Sequence, residues 1–215
     1  MRFDTVLFDL DGTLTDPASG ITNSIIYSLN KFGISVNDRK ELYFFIGPPL
    51  VDSFMKYCNF SKQKADTAVE YYREYFKDKG LFENSVYNGI PELLEALKKS
   101  GAKIVLATSK PLIFAEKILK HFDLYKYFDL IIGATLDGTL GEKKDIIAKA
   151  LKKLNATNLT NIAMVGDRKF DIEGAIQNKI TPIGVLYGYG DEKELKDAGA
   201  KLIAKNVKEL KNLLI

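Results

Sequence analysis

The sequence has few of the residues on which several kinds of active site depend. Its 215 residues include one cysteine, Cys58, and one histidine, His121. A single cysteine cannot form a disulfide within the chain, so nothing in the sequence indicates an oxidising compartment. A single histidine excludes a zinc site built from several histidines and disfavours a Ser-His-Asp catalytic triad.

Excess charge and long apolar runs are also lacking. The 31 lysines and arginines nearly balance the 28 aspartates and glutamates, which leaves a formal net charge of +3. A charge so near zero does not indicate a surface for nucleic acid or for an anionic membrane. No apolar run approaches the roughly 18 residues that a membrane helix needs, and acids interrupt the first ten residues, where a signal peptide would be apolar. We therefore expect a cytoplasmic protein with no nucleic-acid or membrane partner.

What the sequence does have is the composition of a folded domain. Hydrophobic residues make up 46% and charged residues 27%, which are values typical of globular proteins and not of disordered chains. The length is sufficient for one domain, or for one domain that carries a smaller insert.

Five short apolar runs bounded by turn residues predict buried β-strands, because their apolar residues are nearly continuous. They are Thr5–Leu10, Lys103–Ala107, Leu130–Gly133, Ile162–Val165 and Pro182–Leu186, and a sixth run, Lys201–Ala204, is weaker. Between and after them lie amphipathic segments of helical length: Glu92–Ser100, Leu112–Phe122, Asp145–Leu154, Asp171–Asn178 and Val207–Leu214. The alternation of strand and helix predicts an α/β fold with a parallel sheet.

One interval is too long for this alternation. Residues 11–102 separate the first two predicted strands, whereas a complete strand–helix–strand unit takes only about 30 residues. The surplus shows helical patterns throughout, for example in Ile21–Phe32. We predict that residues 16–86 form a small helical domain inserted after the first strand, and that residues 1–15 and 87–215 form the main domain.

Aspartates follow two of the predicted strands. Asp9 and Asp11 lie at the end of the first strand, where the alternation of side chains points them to the same side. Asp167 closes the fourth strand and Asp171 lies near the next helix, so both would face the first pair if the two strands are neighbours. Several carboxylates without a histidine or cysteine nearby indicate a hard oxygen site, which predicts Mg²⁺. The alternatives are an ordinary Asp-Gly turn at Asp11 and a helix N-terminal acid at Asp171.

Hydroxyl groups and lysines follow two further strands. Thr108 and Ser109 lie between a strand and Pro111, where hydroxyls and backbone N–H groups suit phosphate oxygens. A helix cap is the alternative for Ser109. Lys143 and Lys144 open a helix, where the helix dipole disfavours a positive charge, so one of them is a candidate to face the site. The alternative is a solvated charge, and the choice between the two lysines stays open at this point.

Together these segments resemble the haloacid dehalogenase-like hydrolases, specifically the phosphoglycolate-phosphatase-like branch with a helical cap. The resemblance spans the whole chain. Its first motif matches Phe8–Leu14, its fourth matches Gly166–Asp171, and its second is similar to Ala107–Pro111. The third motif often has Lys-Pro where this sequence has Lys143 and Lys144, and helix phase favours Lys143.

The resemblance implies a Rossmann-like parallel sheet of strand order 5-4-1-2-3, with an inserted α-helical cap at residues 16–86. The cap would close over the site and select the leaving group. Within it, the candidates for substrate contact are Pro48 in the Gly47–Pro49 loop, and Lys56 or Arg73 for an anion. Each also has a purely structural explanation, such as a break between helices at Pro48 or a charged helix face at Arg73. Gly188–Gly190, after the last strand, is also similar to this branch, and no chemistry is assigned to it.

The resemblance also implies a Mg²⁺-dependent phosphatase that acts on a small phosphorylated metabolite. Asp9 would be the nucleophile that forms an aspartyl-phosphate, and Asp11 would act as general acid and then as general base. The ligands of Mg²⁺ would be Asp9, the backbone carbonyl of Asp11, Asp167 and Asp171. The groups around the phosphoryl oxygens would be Thr108, Lys143, Gly12, Thr13 and Ser109.

Two other functions stay open. The first is a phosphomutase of the β-phosphoglucomutase type, which shares the core motifs. The second, from a different class, is a non-catalytic phospho-acceptor switch. Such switches also combine Asp, Thr, Lys and Mg²⁺, but they have no acid equivalent to Asp11 and no inserted domain, both of which this sequence has. Phosphoglycolate-like molecules, nucleoside monophosphates and sugar phosphates are all candidate substrates. The sequence does not indicate an oligomeric state.

Overall fold

A computed structural model describes residues 3–215, and the chain divides into two compact units. The first, here called the core unit, comprises the segment that ends at Thr15 together with Val86–Ile215. The second, here called the insert, is Asp16–Ser85. Each unit contains buried hydrophobic side chains of its own, as a unit with its own hydrophobic core requires.

Strands β1 to β8 lie in this order along the described part of the chain: Thr5–Phe8, Thr15–Asp16, Ser85–Val86, Lys103–Pro111, Leu130–Ala134, Ile162–Gly166, Thr181–Val185 and Leu202–Ala204. The short strands β2 and β3 pair with each other where the chain passes between the core unit and the insert. The other six form a parallel sheet of order β5-β4-β1-β6-β7-β8. This confirms the predicted Rossmann-like order and adds the weak sixth strand at one edge.

Three helices of the insert are α1, α2 and α3, which span Ala18–Asn30, Leu50–Cys58 and Lys62–Tyr75. In the core unit, α4 to α9 span Ile90–Lys99, Leu112–His121, Lys143–Lys153, Lys169–Gln177, Glu192–Asp197 and Val207–Leu214. Short 3₁₀ helices occupy Arg39–Phe45, Tyr125–Tyr127 and Leu159–Asn161, and a π-helical turn occupies Phe76–Gly80. From Phe3 to Ile215, no helix combines the length and the apolar character needed to cross a membrane.

Helix α8 is missing from the sequence-based prediction. Its one buried side chain is Leu195, so six residues carry no apolar periodicity that would reveal a helix. The helix nevertheless has an N-cap residue, Asp191, whose carboxylate accepts a hydrogen bond from the backbone N–H of Glu194 at 2.7 Å.

Strand β4 is longer than predicted: it continues past Ala107 to Pro111. Its pairing with β5 becomes irregular between Thr108 and Pro111. Gly133 of β5 makes this extension possible, because a Cβ atom at that position would lie 2.7 Å from the Cα of Leu112. The expectation that the strand ends at Ala107 was therefore wrong, since a glycine on the neighbouring strand admits the close backbone approach that a side chain would block.

Buried aliphatic residues on one face of the sheet pack against α6 and α7. The sheet residues are Leu7, Val105, Ala107, Ile132, Ile162 and Met164, and they meet Ile146 and Ile147 of α6 and Ala175 of α7. Because β1 lies between β4 and β6, this packing holds the carboxyl ends of all three strands side by side, and such strand ends are where ligands bind in open α/β sheets.

The insert is helical, and its helices pack through aromatic and small residues. The rings of Phe45 and Phe54 lie 5.0 Å apart. The Ser28 hydroxyl on α1 donates to the backbone oxygen of Ala68 on α3 at 2.7 Å. The Ser61 hydroxyl accepts from a backbone N–H in the first turn of α3, which caps that helix.

Candidate active site

Three buried aspartates lie where β1 and β6 end. Asp9 follows β1, Asp167 follows β6, and Asp171 lies in the first turn of α7. Phe8 and Val165 are partners in the sheet register, so the residues after them emerge side by side. One carboxylate oxygen from each aspartate lies within 4.8 Å of the others. The sheet thus assembles a compact acidic group from residues far apart in the sequence.

Burial and mutual repulsion disfavour the charged form of this acidic group. Burial raises the pKa of Asp167 well above its ordinary value, and the nearby charge of Asp171 raises it further. Burial also raises the pKa of Asp171 to about 6, where Lys143 opposes the shift and Asp9 adds to it. A cation among these carboxylates would remove the repulsion and stabilise their charged forms.

Lys143 supplies one positive charge to the acidic group. Its Nζ lies 2.8 Å from Oδ1 of Asp9 and 2.8 Å from Oδ1 of Asp171, and it donates to the backbone oxygen of Ala107 at 3.1 Å. Burial alone would lower the pKa of this ammonium, but the two carboxylates raise it above its ordinary value. Lys144 is exposed, so of the two candidate lysines the structure brings Lys143 to the aspartates.

The acidic group also fits a metal ion. Within residues 3–215, the buried Oδ1 of Asp11 has no hydrogen-bond partner, and the Oδ1 atoms of Asp9 and Asp171 have the Lys143 ammonium as their neighbour at 2.8 Å. Buried oxygens without a hydrogen-bond partner are unusual in folded proteins. Carboxylate oxygens are the ligands that Mg²⁺ prefers, so this set of donors suits such an ion.

Asp11 has a different partner, Lys110. The Nζ of Lys110 lies 2.5 Å from Oδ2 of Asp11, and the two side chains are 5% and 14% exposed. Burial raises the pKa of Asp11, and the Lys110 ammonium opposes the shift. The sequence analysis missed Lys110, because it lies beyond the predicted end of the strand at Ala107, after Thr108 and Ser109, where no apolar pattern marks a lysine as buried.

Thr108 and Ser109 lie in the extended end of β4. Thr108 is buried, and its Oγ1 accepts a hydrogen bond from the backbone N–H of Lys110 at 3.2 Å. Ser109 is half-buried. Helix α5 begins directly after Pro111 without a side-chain cap, so the structural alternative for Ser109, a helix cap, does not apply.

Gly12 and Thr13 form the turn after Asp11. Gly12 has φ 80, a conformation that glycine adopts without strain. The backbone N–H groups of Gly12 and Thr13 donate within the turn, to the oxygens of Thr15 and Leu10. The Thr13 hydroxyl donates to Oδ1 of Asp167 at 3.4 Å. In this structure the Thr13 hydroxyl therefore binds Asp167, and the two backbone N–H groups stabilise the turn itself. A role of the turn in phosphoryl binding stays a prediction.

Pro48 and Lys56 lie in the insert. Pro48 is half-buried just before α2, and Lys56 is exposed on that helix. The Nζ of Lys56 lies 4.8 Å from the centroid of the Tyr57 ring, a cation–π contact typical of exposed sites. Their contribution to substrate binding stays a prediction.

The segment after β7 also reaches Asp167, which the sequence analysis did not anticipate. The backbone N–H of Tyr189 donates to Oδ2 of Asp167 at 2.8 Å. The Tyr187 hydroxyl donates to the backbone oxygen of Thr13 at 3.1 Å. Burial, and then the nearby charge of Asp167, raise the pKa of Tyr187 above its ordinary value, so the phenol keeps its proton and remains a donor.

Comparison with known proteins agrees with this geometry. Residues 6–185 match the family model of the haloacid dehalogenase-like hydrolases. A 5′-nucleotidase from Pseudomonas aeruginosa is 45% identical over 196 residues, which cover 91% of this chain and 88% of that protein. The tyrosine-protein kinase PtkA from Mycobacterium tuberculosis is 37% identical over 185 residues, which cover 86% of this chain and 62% of that protein.

A solved structure extends the similarity to three dimensions. The crystal structure of a predicted phosphatase from Clostridium acetobutylicum is 51% identical, with a TM-score of 0.95, and the match covers 100% of this chain and 99% of that one. The family resemblance read from the motifs is confirmed. The chain is a hydrolase of phosphoric monoesters, and it belongs to the haloacid dehalogenase-like hydrolase family.

Proposed function

We propose that this phosphatase depends on Mg²⁺ and hydrolyses small phosphomonoesters in two steps, through an aspartyl-phosphate on Asp9. The observation that carries the proposal is the group of three buried aspartates with one ammonium at the end of β1. Three acids without histidine or cysteine suit a hard divalent cation, and a carboxylate beside that cation is an established kind of nucleophile for phosphoryl transfer.

In the first step, a carboxylate oxygen of Asp9 attacks the phosphorus, and the bond from phosphorus to the leaving oxygen breaks. Asp11 donates a proton to that leaving oxygen. In the second step, Asp11 takes a proton from the water that attacks the aspartyl-phosphate, which releases inorganic phosphate and restores Asp9. Both roles of Asp11 are general acid–base catalysis, and its raised pKa favours the protonated form that the first step needs.

The charge of the transferring phosphoryl group must be shared by the surrounding residues. Lys143 is already positioned by Asp9 and Asp171, so its ammonium needs little rearrangement. The hydroxyl of Thr108 provides a further donor. Mg²⁺ would be held by Asp9, the backbone carbonyl of Asp11, Asp167 and Asp171, and when bound it supplies positive charge next to the phosphoryl oxygens.

For the substrate, we propose nucleoside 5′-monophosphates as the first class to test. The Pseudomonas aeruginosa relative, named a 5′-nucleotidase, matches over nearly its whole length. Phosphoglycolate-like molecules and sugar phosphates are the further candidates. We propose that the insert, Asp16–Ser85, acts as a cap that selects the leaving group. The cytoplasm is the compartment that the single cysteine favours.

Transfer of the phosphoryl group to an acceptor other than water is the second candidate. It is favoured by the similarity to a protein named a tyrosine kinase, and it includes the phosphomutase that the core motifs allow. The chain spans 62% of that kinase, so the remainder of the relative has no counterpart in this match. The fate of the phosphoryl group decides between the candidates.

The deciding experiment uses 5′-[³²P]AMP and rapid quenching in acid. The parent protein with Mg²⁺ should release labelled inorganic phosphate and carry an acid-stable, hydroxylamine-sensitive label during turnover. Asp9→Asn should carry no label, whereas Asp137→Asn, which changes an exposed aspartate, should behave as the parent. Chelation should abolish turnover, Mg²⁺ should restore it, and Ca²⁺ should be a poor substitute because its larger coordination shell misplaces the nucleophile.

Other outcomes identify the alternatives. Full activity in excess chelator, or a label on Asp9→Asn, contradicts the proposed mechanism. A label transferred to an added sugar phosphate or tyrosine peptide indicates an acceptor other than water. A label that forms once and is not turned over indicates a phospho-acceptor switch.

A further inference from the structure

The segment that follows β7 contacts the turn after β6 at several points. We propose that Tyr187–Glu194, here called the positioning segment, holds Asp167 in the orientation in which it binds the metal ion. The inference rests on the proposed function, because it treats Asp167 as a ligand of Mg²⁺. None of the residues of this segment is assigned a role in the reaction itself.

The first contact is made to the Asp167 carboxylate. The backbone N–H of Tyr189 donates to Oδ2 at 2.8 Å, and the Thr13 hydroxyl donates to Oδ1 at 3.4 Å. With one donor on each oxygen, rotation of the carboxylate is restricted, and the remaining lone pairs have a fixed direction. Donors of this kind orient ligating carboxylates in metal sites.

Glycines allow the backbone to surround Asp167 closely. A Cβ atom at Gly188 would lie 2.4 Å from the Cβ of Asp167, and a Cβ atom at Gly190 would lie 2.0 Å from its backbone oxygen. On the other side, a Cβ atom at Gly12 would lie 2.2 Å from Oδ2 of Asp167. All three distances are far below a van der Waals contact, so any side chain at these positions would displace Asp167.

Tyr187 links the positioning segment to the turn after β1. Its hydroxyl donates to the backbone oxygen of Thr13 at 3.1 Å. Its ring meets that of Tyr87 edge to face, with the centroids 5.0 Å apart, and the backbone N–H of Tyr87 donates to the oxygen of Leu14. The hydroxyl of Thr13, which binds Asp167, is therefore held in place by the same segment.

Glu194 holds the residues that come directly after Asp167. Its Oε1 accepts from Nε of Arg168 at 2.9 Å and from the backbone N–H of Lys169 at 2.9 Å. Arg168 and Glu194 are mostly shielded from solvent, at 16% and 23% exposed, where charge-assisted hydrogen bonds are stronger than at an open surface. The backbone N–H of Arg168 in turn donates to the carboxylate of Asp171, so Glu194 supports both candidate ligands of this turn.

The test measures the binding of Mg²⁺ to the substrate-free protein by isothermal titration calorimetry. Tyr187→Phe removes one hydroxyl and keeps the ring, and Glu194→Ala removes the acceptor for Arg168 and Lys169. Each should weaken Mg²⁺ binding roughly 10-fold, because loss of a supporting group around a metal ligand typically costs 10–100-fold in affinity. Glu194→Gln keeps an acceptor oxygen and should fall between Glu194→Ala and the parent.

Matched controls come from the same unit. Glu192→Ala removes an acid of the same helix that pairs with Lys196 at the surface, and Tyr125→Phe removes the hydroxyl of an exposed tyrosine. Both should bind Mg²⁺ within twofold of the parent. The melting temperature of every metal-free variant is measured in parallel, so that a loss of folding is separated from a loss of metal affinity.

The outcomes separate this inference from the proposed function. If the parent binds Mg²⁺ and both Tyr187→Phe and Glu194→Ala bind it within twofold of the parent, the inference is overturned and the proposed function stands. A lower melting temperature with unchanged Mg²⁺ affinity overturns it as well, because the segment would then support only the fold. If the parent binds no Mg²⁺, the proposed metal dependence and the inference both fail.

Discussion

The core unit and the insert differ in what they bury. From Phe3 to Ile215, the buried charged side chains all belong to the core unit: Asp9, Lys110, Lys143, Asp167 and Asp171. The buried polar side chains of the insert are hydroxyls: Thr22, Ser24, Ser28 and Ser53. Hydroxyls within a helix can donate to a backbone oxygen, as Ser24 does to Gly20 of the preceding turn and Ser28 does to Ala68 of α3, and so need no charged partner.

This difference places the groups whose burial opposes folding in the core unit. A buried charge is destabilising unless it is paired. In the core unit Lys110 pairs with Asp11, whereas the three buried aspartates have one ammonium, that of Lys143, among them. Folding alone does not require this arrangement, because apolar residues would fill the same space. The insert has no such group among its described residues, so its sequence can change with fewer electrostatic consequences.

Among substitutions that compare the two units, the largest effect on turnover should come from Asp11→Asn in the core unit, which removes the proton donor and leaves the nucleophile. Loss of general acid–base help should lower turnover about 10²–10⁴-fold. For a substrate with an acidic phenol as leaving group, the first step should recover part of this loss, and the phosphoenzyme should accumulate because its hydrolysis lacks a base. Rapid quenching with alkyl and aryl phosphates measures both steps, and an equal loss for good and poor leaving groups would contradict the role of Asp11.

A second substitution compares the buried lysine with its exposed neighbour. Lys143→Met leaves Asp9 and Asp171 without their common counter-ion, and removing one partner of a buried ion pair is destabilising by about 3–5 kcal/mol. Lys144→Met removes an exposed charge and should change the free energy of unfolding by less than about 0.5 kcal/mol. Urea denaturation of the metal-free proteins measures both. Similar effects of the two substitutions would contradict the assignment of Lys143 to the site.

A third substitution tests whether the acidic group opposes folding. The pKa of Asp167 is higher in the folded protein than in the unfolded chain, so the metal-free parent should lose stability as the pH rises. Asp167→Asn removes the contribution of Asp167 to this dependence and leaves those of Asp171 and Asp11. It should therefore be more stable than the parent at pH 8, by about 1.4 kcal/mol for each unit by which the pKa is raised. The gain should shrink toward pH 4.

Urea denaturation at several pH values, with chelator present, measures this gain. Asp137→Asn is the control, because hydrogen bonds from Thr135 and Thr139 lower the pKa of Asp137, and its contribution therefore has the opposite sign. Added Mg²⁺ should stabilise the parent and not Asp167→Asn. A variant less stable than the parent at every pH would show that Asp167 supports the fold.

The smallest effects are expected in the insert. Lys56→Met should change the ranking of phosphorylated metabolites by about 2- to 5-fold, because an exposed charge contributes roughly 0.2–1 kcal/mol. Pro48→Ala, which removes the ring that fixes the backbone before α2, should change the ranking as well. Hydrolysis of 4-nitrophenyl phosphate, a small generic substrate, should be spared. Lys64→Met, at another exposed lysine of the insert, is the control. An equal effect on every substrate would indicate that these residues are structural and not selective.

Particular residues show how far sequence reasoning reaches in this protein. The strand ends that carry Asp9 and Asp167 were predicted because buried parallel strands are continuous apolar runs, and that signal is local. Lys110 and Glu194 were missed, since the one lies in a strand segment expected to be a loop, and the other in a helix with a single buried residue. For both, the meaning of the charge depends on a partner elsewhere in the chain.

The sequence by itself indicated the strands of the large sheet, most of the helices between them and the long interval after the first strand, because apolar periodicity and turn residues act over short stretches of chain. Only the tertiary structure decided which charges meet. Lys143 reaches Asp9 and Asp171, Lys110 reaches Asp11, and the segment after β7 reaches Asp167. These contacts arise from the order in which the sheet places its strands. Electrostatic interactions between buried groups depend on the distance between the charges in space and not on their separation along the chain.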